Sequence, residues 1–344
     1  MSSHLRGHSM QNEKLYQQGL TKARQGNYRG ALDDFNQVLS RNPNHAIAYN
    51  NRALLYYHLK DYKNAIKDLD YALKINPKLS EAYLNRGNAW RHLGNYKKAI
   101  KDLKIALKFN PTSDAIHNNL GLAIAQSGDY EEAFKYYNKA LLFNPKNYKT
   151  YHNRGRAFYM SGRKQDALQD FNKTIELSPS YTKAYINRGL CYHQLGEPQQ
   201  AIEDYNTALK LDSYNVYAYY NRGCVYYSLK EMKAAIDDFN QAILIDPSYI
   251  KAYLNRGLAL YKSGDRIAAN KDFYHVMCVN ADAYVYYQAQ RGIPNDESYS
   301  RNAPQVEVNQ GGEYFHTTFL EGLWDEVDLN YRESTICEAE FLDD

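Results

Sequence analysis

Six near-copies of one hexapeptide carry the side chains best suited to chemistry: AYNNRA at 48–53, AYLNRG at 82–87, TYHNRG at 150–155, AYINRG at 184–189, AYYNRG at 218–223 and AYLNRG at 252–257. Asn brings two donors and an acceptor, and Arg a planar fork of donors that matches a carboxylate. Such pairs serve ligand binding or scaffolding equally well. Catalysis would need a convergent set, and the chain has no P-loop, G-x-S-x-G or H-E-x-x-H run. It is not expected to be an enzyme. Cys191, Cys224, Cys278 and Cys337 include no C-x-x-C pair, so neither a zinc site nor a redox dithiol is indicated. His58 and His92 lie one period apart, too far for shared ligation if hairpins stack about 10 Å apart. No metal or cofactor is expected.

The spacing of the hexapeptides is the stronger signal. Pro43, Pro77, Pro111, Pro145, Pro179 and Pro247 fall on a grid of 34 residues. Gly19, Ala53, Gly87, Gly121, Gly155, Gly189, Gly223 and Gly257 fall on a second, and Ala31, Ala65, Ala99, Ala133, Ala167, Ala201, Ala235 and Ala269 on a third. Each period reads as two helices. EAYLNRGNAWRHLG (81–94) stops at Gly94, and NYKKAIKDLKIALKFNP (95–111) ends near Pro111. Glycine stops and a following proline mark helix ends. Small residues let the two helices approach, and each hairpin must bury its face on its neighbours.

The period and the Gly, Ala and Pro grids resemble the tetratricopeptide repeat. The resemblance implies an all-α, right-handed superhelical solenoid. Eight repeats are expected over 12–283, beginning at residues 12, 46, 80, 114, 148, 182, 216 and 250. Residues 284–292 are expected to cap the last hairpin, and 1–11 to be disordered or an expression-derived leader. The first repeat departs from the pattern at Leu15, Lys22 and Val38, as a terminal cap would.

Counting from each repeat's first residue, the seventh position holds Arg52, Arg86, Arg154, Arg188, Arg222 and Arg256. The twenty-third holds Asp68, Asp102, Asp170, Asp204, Asp238 and Asp272. The fourth repeat breaks both together, with Leu120 and Tyr136. The joint exception predicts an Arg–Asp pair inside each hairpin. Asn51, Asn85, Asn119, Asn153, Asn187, Asn221 and Asn255 hold the sixth position, the fourth repeat included. The resemblance implies that this position faces a concave groove, as in the asparagine ladder of the O-linked sugar transferase. There the amides would bind the backbone of an extended peptide; bridging between hairpins is the structural alternative. Tyr57, Asn88, Arg91, His92, Arg156, Tyr159, His193, Tyr227 and Tyr261 are expected beside them. They would make an aromatic and basic lining for an acidic or aromatic partner. No repeat carries the lysine–asparagine pattern of a chaperone-tail clamp.

Charge is divided along the chain. Residues 1–292 carry a net +14, and 293–344 a net −11. Within 313–331, Phe315, Phe319, Leu320, Leu323 and Trp324 follow helical spacing. Two readings of this acidic tail stay open: a solvated, partly disordered segment with a transient helix, or a segment that docks on the basic groove of its own chain or of a second copy. The predicted function is a non-enzymatic protein–protein interaction scaffold, of the adaptor or assembly-factor kind. The alternative is an RNA or other nucleic-acid binder using the basic array and its share of the 35 tyrosines. With no apolar run long enough to span a membrane and no secretory leader, a cytoplasmic location is expected.

Overall fold

The computed structural model describes residues 2–279, and there the chain is a succession of helix hairpins. The paired helices are α1 (Ser2–Arg24) with α2 (Tyr28–Arg41), α3 (Ala46–His58) with α4 (Tyr62–Ile75), α5 (Ser80–His92) with α6 (Tyr96–Phe109), α7 (Asp114–Gln126) with α8 (Tyr130–Phe143), and α9 (Tyr148–Met160) with α10 (Lys164–Leu177). These belong to a first compact block ending at Ser178. A second block, from Pro179, holds α11 (Thr182–Gln194) with α12 (Pro198–Leu211), α13 (Val216–Ser228) with α14 (Met232–Ile245), and α15 (Ile250–Ser263) with α16 (Arg266–Val279). The expected all-α repeat architecture is therefore present. Helix α1 begins at Ser2, well ahead of the boundary expected at 12; no proline interrupts the stretch. The cap at 284–292 and the tail lie outside the described residues.

Boundary chemistry explains the regularity. Asn27, Asp61, Asn95 and Asp129 cap the second helices of the first four hairpins, each side chain accepting from the backbone N–H three residues on. After α2, α4 and α8, Asn42, Asn76 and Asn144 turn the chain by accepting from the N–H two residues on, and Asp212 and Asp246 do the same after α12 and α14 in the second block.

Close approach inside a hairpin rests on one contact. The residue after the buried Asp, or after Tyr136 in the fourth hairpin, is large and apolar or aromatic: Phe35, Leu69, Leu103, Tyr137, Phe171, Tyr205 and Phe239 are all essentially inaccessible. Each faces the small residue of the first helix. A Cβ on Gly223 would meet the Phe239 ring at 2.8 Å, and one on Gly121 would meet Tyr137 at 2.9 Å. Both are closer than packed carbons tolerate. Within each block the first helices also touch one another, α3 with α5, α5 with α7 and α7 with α9, then α11 with α13 and α13 with α15. Second helices do not approach each other to that extent. The first helices thus form the tighter row, and any groove belongs on their side.

Between the helices of a hairpin the chain passes through the left-handed region, at Gly26, Gly94, Gly128, Gly162, Gly196 and Gly264. Lys60 and Lys230 occupy the same position at φ 61° and 62°. A Cβ there costs about 1–2 kcal/mol, of which the greater freedom of glycine in the unfolded chain cancels part. Lys60→Gly and Lys230→Gly should each stabilise the protein by about 0.5–1 kcal/mol, read as a higher denaturant midpoint. A lower midpoint would show that the lysine side chains carry contacts worth more than the strain.

Candidate functional site

Each of the six arginines makes the expected pair with the Asp of its own hairpin. Nε donates to one carboxylate oxygen at 2.7–2.8 Å and Nη2 to the other at 2.5–2.8 Å. The carboxylates are the deeper partners, about 6% exposed for Asp170 against 20% for Arg154. Burial therefore weighs most on Asp170, Asp204 and Asp238. It pushes their carboxyls up, against the hydrogen bonds and charge of their arginines. Burial likewise opposes the charge on Arg52, Arg188 and Arg222, but there the aspartate outweighs it and holds the guanidinium protonated. Such a pair contributes little net stability, yet removing one member strands the other.

The arginine does more than the spacing predicts. Its Nη1 reaches back to the second helix of the preceding hairpin. Arg52 donates to Asn36, Arg86 to Asp70, Arg154 to Asn138, Arg222 to Asn206 and Arg256 to Asn240, at 2.5–2.7 Å. The guanidinium also lies over a tyrosine one turn earlier (Tyr49, Tyr83, Tyr151, Tyr185, Tyr219, Tyr253), at 5.4–5.6 Å from the ring centre. In the fourth hairpin the tyrosine is His117, the arginine Leu120 and the aspartate Tyr136, while the acceptor position before it holds Lys104. All four members of the clamp change together. The back-reaching bond is legible in the sequence only as this fourfold exception, of which the Arg and Asp positions are the more visible half.

The asparagine ladder is mostly turned to bridging. Asn51 donates to the Tyr16 hydroxyl, Asn85 to Asn50 and Asn153 to Asn118, and in the second block Asn255 donates to the Tyr220 hydroxyl. Every bridge runs from one repeat's sixth position to the fifth position before it, 35 residues back. Asn153, Asn187, Asn221 and Asn255 are buried, 0–3% exposed. They have no surface to offer a peptide. Burying an amide requires partners for it; bridging supplies one for the side-chain N–H2 of Asn153 and of Asn255, while the side-chain oxygen of each stays buried without one among the described residues. Asn51, Asn85 and Asn119 are half-buried. Asn119 differs again: the preceding Leu84 offers no acceptor, so its amide donates within its own helix, to the Ala115 carbonyl at 2.9 Å.

The same 35-residue step organises the other lining residues. The Tyr57 ring meets the His92 edge at 5.3 Å, Arg91 donates to Gln126 at 3.2 Å, His193 lies 3.3 Å from the Ser228 hydroxyl, and the Lys262 ammonium sits 4.7 Å over Tyr227. Asn88, Arg156, Tyr159 and Tyr261 are half-buried on this row; Tyr227 and Arg91 are buried. His92 stacks on Tyr62 at 4.9 Å, as His58 does on Tyr28 at 5.3 Å. Partial desolvation where its ring stacks, with the positive charge of Arg91, pushes the otherwise exposed His92 imidazole down to about 4. Phe315, Phe319, Leu320, Leu323 and Trp324 lie outside the described residues. Among the described residues no group of three or more His, Cys, Asp or Glu is placed to hold a metal ion. No described helix is long and apolar enough to cross a membrane.

Comparisons with known proteins agree with this geometry. Family signatures described as tetratricopeptide repeat match residues 16–80, 112–180, and 80–113, 182–215 and 216–249. A search of the curated proteins finds no match. Among solved structures, a tetratricopeptide repeat protein from Parabacteroides merdae aligns with a TM-score of 0.60 at 20% identity, over 72% of this chain and 98% of its own. A chain of the APC/C hetero-tetramer Cut9–Hcn1 also reaches 0.60 at 18% identity, covering 66% of this chain and 45% of that one. PilW, a type IV pilus biogenesis factor, reaches 0.55 at 22% identity, over 59% and 94%. At these identities the likeness is one of fold.

Two outcomes test the site. Asp170→Ala strands Arg154 and should cost about 2–3 kcal/mol. Copying the fourth hairpin, with Asn138→Lys, Arg154→Leu and Asp170→Tyr together, should cost less, in urea melts of both. Equal or larger losses in the triple variant would refute the clamp as drawn. For His92, the unfolded chain takes up its proton near the ordinary 6.5 and the folded chain only near 4. Between those values the unfolded state holds more protons, so stability rises with pH through that window and falls on acidification. His92→Gln should flatten that slope in unfolding curves taken across it.

Proposed function

Because the chain belongs to the tetratricopeptide repeat family, whose repeats are protein–protein interaction modules, we propose that it is a non-enzymatic scaffold holding a peptide segment along its first-helix row. The observation that carries this reading is Asn119. It is half-exposed, and among the described residues its one side-chain hydrogen bond is the N–H2 donated to the Ala115 carbonyl of its own helix, which leaves its oxygen open. Beside it on the row are Asn88, Arg91 and His92 of the third hairpin and Arg156 and Tyr159 of the fifth. This part of the first block offers amides, cations and rings to a partner, whereas the buried asparagines are committed to the stack. The peptide-contact role expected of all seven asparagines is therefore narrowed to Asn119, with Asn51 and Asn85 contributing their exposed edges.

A partner of acidic and aromatic character fits the net +14 of residues 1–292. The chain's own 313–331 has that character, so the tail competes for the row and occludes it in the isolated protein. Nucleic acid is the weaker reading, since six arginines are spent on aspartates and are not displayed to phosphates.

The test uses a labelled peptide of residues 313–331 and fluorescence anisotropy. Deleting 293–344 should tighten its binding. Asn119→Ala in the same background should weaken it several-fold, on the scale of one hydrogen bond. Asn255→Ala should lower the melting temperature and leave binding unchanged. Equal affinity in the full and shortened chains would dismiss the tail as an occluding segment. Equal affinity in Asn119→Ala would place the partner elsewhere.

A further inference from the structure

Arg91 stands apart from the six clamp arginines. It is buried, 9% exposed, and has no ion-pair partner among the described residues. Nη1 donates to Gln126 at 3.2 Å and Nη2 faces His92 Nε2 at 2.9 Å; the Arg91 charge also acts on the nearby Tyr57 phenol, favouring its ionised form. Nε is buried and donates to nothing. One turn earlier on the same helix face, the Asn88 side-chain oxygen is also buried without a partner. A buried cation surrounded only by neutral groups carries an uncompensated desolvation cost, and each orphaned buried polar atom calls for a cause.

The same helix shows what the missing group is. Five residues earlier, Arg86 presents its Nε and Nη2 side by side to the two oxygens of Asp102, at 2.7 and 2.8 Å. In Arg91 this is the edge without a carboxylate: Nε has no acceptor, and Nη2 has a ring nitrogen in place of an oxygen. Since arginine can only donate, His92 Nε2 must be the acceptor and its proton sits on Nδ1. His92 itself is exposed and held by its stack on Tyr62, so it can leave Nη2 without opening the core.

We propose that the Nε/Nη2 edge of Arg91 is a carboxylate-receiving site, which takes an acidic side chain of the bound peptide as His92 swings aside. This rests on the peptide-binding reading of the first-helix row and adds the chemical class of its anchor. Bidentate geometry, not charge alone, defines the site; lysine would keep the charge and lose the fork.

Two measurements separate the anchor from the groove. Both are made on the full chain and, so that its own acidic tail does not fill the site, on the chain lacking 293–344; an outcome counts against the site only where both chains give it. First, the Arg Nε–H resonances are followed by NMR as glutarate is added, with sodium chloride and inorganic phosphate at matched ionic strength as controls. The Arg91 resonance, assigned by its loss in Arg91→Lys, should move downfield with glutarate while the clamp arginines stay in place. Second, the labelled 313–331 peptide, amidated at its C-terminus, should bind at least about tenfold more weakly to Arg91→Lys. Replacing its five acidic residues with Asn and Gln should weaken it comparably on the wild type and add nothing on Arg91→Lys. An Arg91 resonance unmoved by glutarate, or moved equally by chloride or phosphate, overturns the carboxylate site. So does a peptide that binds wild type and Arg91→Lys alike, an outcome that leaves the groove reading standing. A resonance that moves in a chain that binds no peptide keeps the carboxylate site and removes the groove reading.

Discussion

A guanidinium has five donors in a fixed plane, and the organisation of this array follows from how one such plane is shared. Two donors fix the second helix of the same hairpin through Asp, a third reaches the hairpin before it, and the ring of a tyrosine lies beneath. Hydrophobic contacts, chiefly the aromatic or leucine residue against the small residue of the first helix, supply the attraction between helices. They are non-directional. The arginine adds the register: a hairpin rotated or slipped by one residue would leave a carboxylate buried without its partner.

A second rule follows from the first-helix row. The side-chain contacts that join one hairpin's first helix to the next run mainly between residues 35 apart. That step pairs Asn85 with Asn50, Tyr57 with His92 and Arg91 with Gln126. It decides which ladder asparagines are consumed. Where the fifth position offers an oxygen, as at Asn50 or Tyr16, the amide bridges; where it offers Leu84, the amide of Asn119 turns back on its own helix. The composition of one position therefore sets the availability of another, in the next hairpin, for binding.

Much of this was legible in the chain itself. The helix pairs, their small-residue contacts and the Arg–Asp pairs follow from a period of 34 and from one correlated exception. Burial was less legible. Asn187 and Asn255 share the repeat position of Asn119, yet both are buried: position within a repeat does not fix exposure, which depends on the hairpins packed to either side. Arg91 was recognised as a lining residue for its type. Its isolation from any carboxylate is a fact of three-dimensional neighbourhood, and no one-dimensional pattern announces it. Lys60 and Lys230 break the turn glycine in plain view, yet the left-handed backbone they adopt is dictated by the hairpin and not by lysine.

The back-reaching bond also bears on how such a chain can change in length. Repeat arrays grow and shrink by gaining or losing whole periods, and a period is portable only if its neighbours accept it. Here acceptance is written into a single side chain. A period with arginine at its seventh position must follow one whose second helix carries Asn or Asp sixteen residues before that arginine; placed after Lys104 it would bring two cations together. The leucine-bearing fourth hairpin has the opposite requirement, leaving no donor for such an acceptor. The third and fourth hairpins are thus heritable as a couple, with Lys104, His117, Leu120 and Tyr136 as a linked set. Elsewhere a period could be copied or lost without disturbing the match at either joint.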